Sequence, residues 1–280
     1  MILNLVIISY CLKVDLMNVY VMNSIKSLLM FVMFFSLSSI VSAQIHHRTA
    51  DKKKLFILLG QSNMAGRAPI EKKDSLPLLM VKLLNDKGDF EVAENPLNRY
   101  SSIRKKLSIQ KLGPGYAFAK RLSEEYQDTI FIVVNARGGT SLERFMKNDS
   151  TGYYESTISR IKQALKKYPG LELGAIIWHQ GESNREYYKD YVVHLRTLIK
   201  DYRTDLDVPD LPFIAGEIGR WNPTYTNIVK QITMIPDSID NAYLISSEEL
   251  GNVDEFHFDS NSQEILGNRF AEKYIEISTK

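Results

Sequence analysis

Short hydrophobic runs alternate along the chain with longer segments in which hydrophobic positions follow a helical pattern. The short runs predict buried strands at residues 55–59, 130–135, 175–178, 213–215 and 242–245. The longer segments predict helices at residues 116–126, 154–168, 188–202, 224–234 and 262–277. Because strands that alternate with helices form a parallel sheet covered on both faces, the pattern predicts an α/β fold.

The stretch before the first predicted helix is the least regular part of the chain. Residues 68–112 contain Pro69, Pro77 and Pro96 and a basic run at residues 104–106. Proline interrupts both helices and central strands, so this stretch is either an active-site insertion or a set of surface loops. We interpret the basic run as a solvated face.

The amino-terminal part of the chain has the layout of a secretory signal peptide. A short positive start at residues 22–26 is followed by an apolar stretch at 28–37 and small residues at 41–43. The apolar stretch is shorter than the about 20 residues of a membrane span. We expect cleavage after Ala43, with residues 1–43 removed. The alternative is an uncleaved N-terminal anchor.

Three expectations follow from this layout. Secretory signals begin close to the initiator methionine, so Met22 is the expected start, with residues 1–21 upstream of it. The mature chain is expected to be one domain of 237 residues, 44–280, which is long enough for a full α/β core. We expect the protein to be secreted or periplasmic, with no stable membrane association after cleavage.

Charge and cysteine content limit the kinds of binding partner, disulfide and metal site that this domain can have. Residues 1–43 carry Lys13, Lys26 and Asp15, so their removal lowers the formal net charge from +2 to +1. A nearly neutral domain gives no indication of nucleic acid as a partner. The one cysteine, Cys11, also lies in the removed segment, which excludes disulfides and thiolate metal sites from the domain. The sequence indicates no cofactor, and it does not indicate an oligomeric state.

The first predicted strand ends in a polar turn. Its last residues are followed by Gly60, Gln61, Ser62 and Asn63, which place a hydroxyl at the carboxyl end of the strand. Ligands bind at that edge of open α/β sheets. Backbone N–H groups and a helix N-terminus there favour developing negative charge. Ser62 is therefore a candidate nucleophile; the alternative is that it only caps the helix.

Polar clusters also follow the next three predicted strands. Residues 135–141 include the pair Gly138 and Gly139, which allows a ligand to approach the backbone closely unless it is an ordinary turn. Residues 178–184 are rich in hydrogen-bonding groups, although they also resemble a helix-capping loop. Residues 216–221 end in Trp221, a candidate wall for a sugar ring. Parallel strands bring all these ends to one edge.

A candidate base lies near the C-terminus. Asp254 precedes His257 by three residues, so its carboxylate can accept a hydrogen bond from one imidazole nitrogen while the other takes the Ser62 proton. An isolated pair with this spacing is also common as a structural contact. The remaining histidines lie in the leader, in a predicted helix or at a strand end: His46, His47, His194 and His179. His257 is therefore the best candidate for the base.

Taken in order, four motifs resemble the sialate O-acetylesterase and acetyl xylan esterase family of the SGNH/GDSL hydrolase superfamily. They are GQSNMAG at residues 60–66, the pair Gly138–Gly139, HQGE at 179–182, and the Asp254/His257 pair. The resemblance spans about residues 54–275. It implies a three-layer α/β/α sandwich, SGNH hydrolase-like and flavodoxin-like, with a mostly parallel sheet of about five strands. It also implies metal-free removal of O-acetyl groups from carbohydrates.

The resemblance also implies roles for individual residues. Ser62 matches the nucleophile and His257 the base, while the N–H groups of Ser62 and Gly139 match the oxyanion hole. The side-chain amide of Gln180 is a further candidate donor. The triad acid stays open between two residues, Asp254 and Glu182. Candidate substrate contacts are Gln61, Asn63, Arg137, Arg220 and Trp221.

The predicted function is that of a serine esterase. It would remove O-acetyl groups from xylan, sialic acid or a related glycan through an acetyl-serine intermediate, with acetylated carbohydrate as its partner. One alternative is a non-catalytic carbohydrate-binding protein on the same fold. The other is a short-chain lipase or thioesterase of the same superfamily.

Overall fold

The computed structural model describes residues 52–279. The expected signal peptide, the cleavage after Ala43 and the start at Met22 lie outside the described residues. Within residues 52–279, no helix is long and apolar enough to cross a membrane.

All ten predicted elements are present, with their ends moved by a few residues. The strands described for residues 52–279 are β1 (Lys53–Gly60), β2 (Leu78–Leu84), β3 (Phe90–Ala93), β4 (Ile130–Ala136), β5 (Leu171–His179), β6 (Phe213–Gly216) and β7 (Ala242–Ile245). The helices in the same part of the chain are α1 (Ser62–Ala65), α2 (Gly115–Tyr126), α3 (Tyr153–Lys167), α4 (Tyr191–Asp205), α5 (Thr226–Thr233), α6 (Ile235–Ser238) and α7 (Ser260–Ser278).

The strands form one sheet in the order β3-β2-β4-β1-β5-β6-β7. Every neighbouring pair is parallel except β2 and β3, which are antiparallel. The five predicted strands occupy β4-β1-β5-β6-β7, which is the flavodoxin-like order. The predicted fold class, a three-layer α/β/α sandwich with a mostly parallel sheet, is confirmed.

The number of strands corrects the expectation of about five, because the described sheet has seven. Both additional strands come from the irregular stretch at residues 68–112. β2 pairs with β4 through residues 81–83, and burial of Val81 and Leu83 against that neighbour stabilises the pairing. Sequence reasoning missed β2 because Pro77 precedes it and Lys82 interrupts its hydrophobic run.

Side chains of β1 alternate between two helix layers. Leu55, Ile57 and Leu59 pack in the core on the side of helices α3 to α6. Phe56 and Leu58 pack in the core formed with α2 and α7. All five are at most 1 % exposed. Since both faces of β1 are buried, its carboxyl end is a rigid support for the turn that carries Ser62.

The carboxyl ends of β4, β1 and β5 meet directly. The N–H of Gln61 donates to the carbonyl of His179 at 3.0 Å, and the N–H of Arg137 donates to the carbonyl of Gly60 at 3.0 Å. A Cβ on Gly60, whose φ is +141°, would lie 2.1 Å from the His179 oxygen, so no other residue fits there. The close contact places the turns after these three strands side by side.

The first and last residues of the stretch at 68–112 are hydrogen-bonded to each other. Ala68 and Leu112 form an antiparallel bridge, with N–H to carbonyl distances of 3.3 and 3.0 Å. Besides β2 and β3, the stretch contains short 3-10 helices at Lys72–Ser75, Leu97–Tyr100 and Leu107–Ile109. It is therefore an ordered insertion in the sheet rather than a set of surface loops.

Candidate active site

A cavity of about 350 Å³ opens at the carboxyl end of β1. Its wall combines residues from five separate parts of the chain, all of which follow strands or belong to the insertion. These residues are Gln61, Ser62, Arg67, Lys105, Ile109, Gly138, Gly139, Glu182, Ser183, Arg185, Phe256 and His257. The position agrees with the rule that ligands bind beyond the carboxyl ends of the strands, where the strand order reverses.

Ser62 is the first residue of α1 and lies in the cavity wall. Gln61, rather than Ser62, occupies the N-cap position, and no side chain caps this helix. The alternative that Ser62 serves only as a cap is therefore wrong for this structure. Because α1 has only four residues, its dipole is small. A negative charge beside Ser62 would therefore be stabilised mainly by individual backbone N–H groups.

Asp254 orients His257. Its Oδ2 lies 2.8 Å from His257 Nδ1, and its Oδ1 accepts the N–H groups of Phe256 and His257 at 2.8 and 2.9 Å. Partial burial raises the pKa of Asp254, but these hydrogen bonds and the charge of His257 outweigh it, so the pKa is lowered overall. The ionised carboxylate favours a proton on Nδ1, which leaves Nε2 without a proton and able to act as a proton acceptor.

Glu182 has a different environment. Its side chain is buried, and Oε1 accepts a hydrogen bond of 2.6 Å from Asn63 Nδ2. Oε2 has no hydrogen-bond partner among the described residues. Burial raises the pKa of Glu182 to about 7. Of the two candidate acids, the structure pairs Asp254 with His257 and pairs Glu182 with Asn63.

Gly138, the first of two glycines after β4, lies against Ser62, and Gly139 lines the same cavity. A Cβ on Gly138 would lie 2.4 Å from Arg67 Nη2 and 3.3 Å from Ser62 Cβ, so a side chain there would displace the end of Arg67 and crowd Ser62. Gly139 has a φ of +64°, a conformation that favours glycine. The backbone itself therefore forms the wall beside Ser62, as N–H donors to an oxyanion require.

Gln180 does not reach the cavity. Its Nε2 lies 2.7 Å from Asn184 Oδ1 and 3.2 Å from both Gln61 Oε1 and the Thr140 carbonyl. The structure thus corrects the expectation that Gln180 donates to the oxyanion, because these acceptors hold its amide behind the wall. Gln61 does line the cavity, and since Gln180 and the Ser183 N–H bind its Oε1, its Nε2 is the donor left for a ligand.

Four of the five predicted substrate contacts lie outside the cavity wall. In each case the protein itself satisfies the polar group. Arg137 donates to the Ile103 carbonyl at 2.6 Å, and Arg220 pairs with Glu217 at 2.9 Å. Trp221 Nε1 donates to the Glu255 carbonyl at 2.9 Å. Asn63, the fourth, is fully buried and points its amide at residues 256–258.

Three basic residues in the wall were not identified from the sequence: Arg67, Lys105 and Arg185. Lys105 belongs to the basic run that we interpreted as a solvated face, and its Nζ lies beside Gly139. Lys105 is exposed, as that interpretation expects, and it also forms part of the cavity wall. Arg67 lies five residues after Ser62 and Arg185 three after Glu182, so proximity to the motifs was the signal available.

His179 has a structural role. It is fully buried, and burial lowers its pKa to about 4. Its Nε2 lies 3.2 Å from the Glu217 carbonyl, which fits a neutral ring that donates to the backbone. Within residues 52–279, no cluster of three or more histidine, cysteine or acidic side chains is arranged to hold a metal ion.

Comparison with known proteins identifies relatives over nearly the whole described region. A profile described as carbohydrate esterase, sialic acid-specific acetylesterase, matches residues 52–276. A probable carbohydrate esterase of Arabidopsis thaliana is 28 % identical over 243 residues, covering 79 % of this chain and 90 % of the relative.

Solved structures agree in fold. The X-ray structure of an Arabidopsis thaliana protein matches with a TM-score of 0.70 and 26 % identity, over 80 % of this chain and 98 % of the other. NanS matches with a TM-score of 0.64 and 17 % identity, over 82 % and 98 %. A carbohydrate acetylesterase from Xanthomonas citri matches with a TM-score of 0.56 and 17 % identity, over 78 % and 55 %.

Proposed function

The chain belongs to the carbohydrate esterase family of sialic acid-specific acetylesterases and is a carboxylic ester hydrolase, and from this membership we propose that it removes O-acetyl groups from a sugar through an acetyl-serine intermediate. The observation that carries the proposal is the arrangement of Ser62 and His257 in one cavity wall, with Asp254 bound to Nδ1 of the histidine. A nucleophile, a base and a group that orients the base are the parts that acyl transfer needs.

The first half of the proposed reaction acylates the enzyme. His257 Nε2 takes the Ser62 proton while Oγ bonds to the acetyl carbonyl carbon, and the carbonyl electron pair moves to its oxygen. The N–H groups of Ser62 and Gly139 stabilise that oxyanion, and each donor of this kind is worth about 3 kcal/mol. When the intermediate collapses, the bond to the sugar oxygen breaks and His257 returns its proton to that oxygen.

The second half of the reaction releases acetate. His257 removes a proton from water as the water oxygen attacks the acetyl-serine carbonyl. The bond to Ser62 Oγ then breaks, and the proton on His257 passes to Oγ. Asp254 stabilises the imidazolium in both halves without becoming protonated itself.

The charge of the cavity supports a substrate that carries a carboxylate. Arg67, Lys105 and Arg185 line it, while Glu182 is the acidic residue in the same wall. Since burial raises the pKa of Glu182 to about 7, that residue is only partly ionised at neutral pH. The wall is therefore net positive, and we propose an acetylated acidic sugar such as sialic acid rather than neutral xylan.

We expect Lys105→Ala to raise KM for an O-acetylated sialic acid by about five- to tenfold, which corresponds to about 1 kcal/mol. This increase in KM should be smaller at high salt, because ions screen an exposed charge. Initial rates of acetate release at low and high ionic strength measure both effects. The matched control is Lys106→Ala, since Lys106 is the next residue of the same basic run and lies outside the cavity wall. Equal shifts in KM for the two variants would contradict a specific role for Lys105.

The proposed activity predicts acetate release from a panel of acetylated glycans. We expect release from acetylated sialic acid to exceed release from acetylated xylan. Among nitrophenyl esters, kcat/KM should fall more than about tenfold from acetyl to butanoyl, since only Ile109 and Phe256 give the wall large apolar side chains. A non-catalytic binding protein would retain the glycan without releasing acetate. A lipase or thioesterase would instead prefer the longer acyl groups.

The signal-peptide layout of residues 1–43 supports a site of action outside the cytoplasm. We propose that the mature protein meets its substrate in the periplasm or the medium. An absence of cysteine from residues 44–280 suits a domain that works in an oxidising environment without disulfides.

A further inference from the structure

Asn63 directly follows the nucleophile, but its side chain turns away from the cavity. It is fully buried and is not part of the cavity wall. Its amide reaches the segment that carries the base instead. Nδ2 donates to the Phe256 carbonyl at 3.1 Å, and Oδ1 accepts the Phe258 N–H at 3.2 Å. One side chain thus holds the peptide groups on both sides of His257.

Besides Asn63, two residues after β6 also hold the segment around His257: Trp221 Nε1 donates to the Glu255 carbonyl at 2.9 Å, and Asn222 Nδ2 donates to Glu255 Oε1 at 3.4 Å. Residues 252–256 are exposed, and the turn is closed internally by the Val253 N–H, which donates to the His257 carbonyl at 2.9 Å. Phe258 is buried against Trp221, which anchors the segment on its C-terminal side. The two hydrogen bonds of Asn63 are what join this segment to the helix that begins with Ser62.

Glu182 determines which way the Asn63 amide faces. Its Oε1 accepts the second Nδ2 hydrogen at 2.6 Å, while Gln263 Nε2 lies 3.3 Å from Asn63 Oδ1. A reversed amide would place oxygen against both Glu182 and the Phe256 carbonyl, leaving the Phe258 N–H without its acceptor. Since buried polar groups that lose their partners cost free energy, the observed orientation is the stable one.

We propose that Asn63 is the positioning residue that sets His257 against Ser62, and that Glu182 acts on the reaction by holding Asn63. The proposal rests on the serine esterase function proposed above and deepens it. It gives the second acidic residue of the site a role that does not require contact with the imidazole. It also explains why a fully buried asparagine directly follows the nucleophile.

The test compares Asn63→Ala with Asn241→Ala. Asn241 also binds through both ends of its amide, to the Asp210 carbonyl and to the Tyr243 hydroxyl, but it lies before β7 at the opposite edge of the sheet. We expect Asn63→Ala to lower kcat on p-nitrophenyl acetate by about 10²-fold with KM changed less than about threefold, because a small displacement of a base costs rate without removing a binding contact. Asn241→Ala should lower the thermal midpoint while leaving kcat unchanged.

A second variant tests the part played by Glu182. Asn63→Asp keeps the acceptor for Phe258 but cannot donate, so we expect it to lose at least as much kcat as Asn63→Ala. Adding Glu182→Gln supplies an amide that can donate to the new carboxylate. We therefore expect kcat of the double variant to be about tenfold higher than kcat of Asn63→Asp. No recovery in the double variant would overturn the role of Glu182.

Labelling of Ser62 separates this proposal from the proposed function. With a fluorophosphonate, Ser62 Oγ bonds to phosphorus, fluoride leaves and His257 takes the serine proton, whatever ester the enzyme normally cleaves. Mass spectrometry of the labelled peptide gives the rate. We expect the same decrease of about 10²-fold in the Asn63→Ala protein. A labelling rate and kcat within threefold of wild type, or an equal loss in Asn241→Ala, would overturn the proposal even if acetate release is confirmed.

Discussion

Ser62→Ala is expected to lower kcat for p-nitrophenyl acetate by about 10⁴- to 10⁶-fold, while the protein keeps its fold. The reason is that Ser62 Oγ forms the bond to the acetyl carbon in the proposed mechanism, and no other hydroxyl in the cavity wall adjoins both Gly138 and the first turn of α1. The loss of one small polar group from a wall residue should change the thermal midpoint little. Spectrophotometric release of nitrophenol and a thermal scan measure the two effects.

Ser183 provides a control for this experiment. It also lies in the cavity wall, but it contributes its backbone N–H, which donates to Gln61 Oε1 at 3.2 Å. Ser183→Ala keeps that N–H, so we expect less than about a tenfold change in kcat. Hydrolysis of the ester at the wild-type rate by Ser62→Ala would show that a different residue is the nucleophile.

Asp254→Asn should lower kcat by about 10²- to 10⁴-fold. An asparagine could still bind His257 Nδ1, but by donating its N–H it would favour the tautomer whose Nε2 carries the proton and cannot serve as a base. Because the Asp254 side chain is 52 % exposed, water can partly replace it, which favours the lower end of the range. The pH dependence of kcat/KM should also shift, since the ionised carboxylate stabilises the imidazolium.

Glu182→Gln makes the same change from carboxylate to amide within the same site. The glutamine retains an oxygen that can accept from Asn63 Nδ2, so we expect less than about a tenfold loss of kcat. If Glu182→Gln instead lost more turnover than Asp254→Asn, Glu182 would be the acid of the triad and the pairing seen with Asn63 would be a resting arrangement.

The fold could largely be predicted because its strands are short, fully buried and separated by amphipathic helices. β1 is the clearest case, since both its faces lie in the core and its hydrophobic run is continuous. β2 escaped prediction because only part of it is buried, with Leu79 and Met80 exposed. A half-exposed strand flanked by proline has no distinctive sequence pattern.

The site was predictable where it depends on strand ends and less so where it depends on side-chain direction. The motifs and their order predict that Ser62 and His257 lie together and that Asp254 binds His257, and the structure places these three residues in that arrangement. Gln180 was placed wrongly, because Asn184, Gln61 and the Thr140 carbonyl hold its amide away from the cavity, and no local sequence pattern shows these contacts. No local pattern distinguishes Lys105, which faces the cavity, from its neighbours in the basic run.

The bridge between Ala68 and Leu112 has a consequence for how such enzymes diverge. Because the two ends of the insertion are already held together, lengthening the chain between them changes the closure entropy only slowly, by about 0.6 kcal/mol for each doubling of a flexible loop. The insertion carries Lys105 and Ile109 into the cavity, whereas Ser62 and His257 lie outside it. Evolution or a protein engineer can therefore exchange the part of the wall that we propose contacts the sugar, while Ser62 and His257 keep their positions.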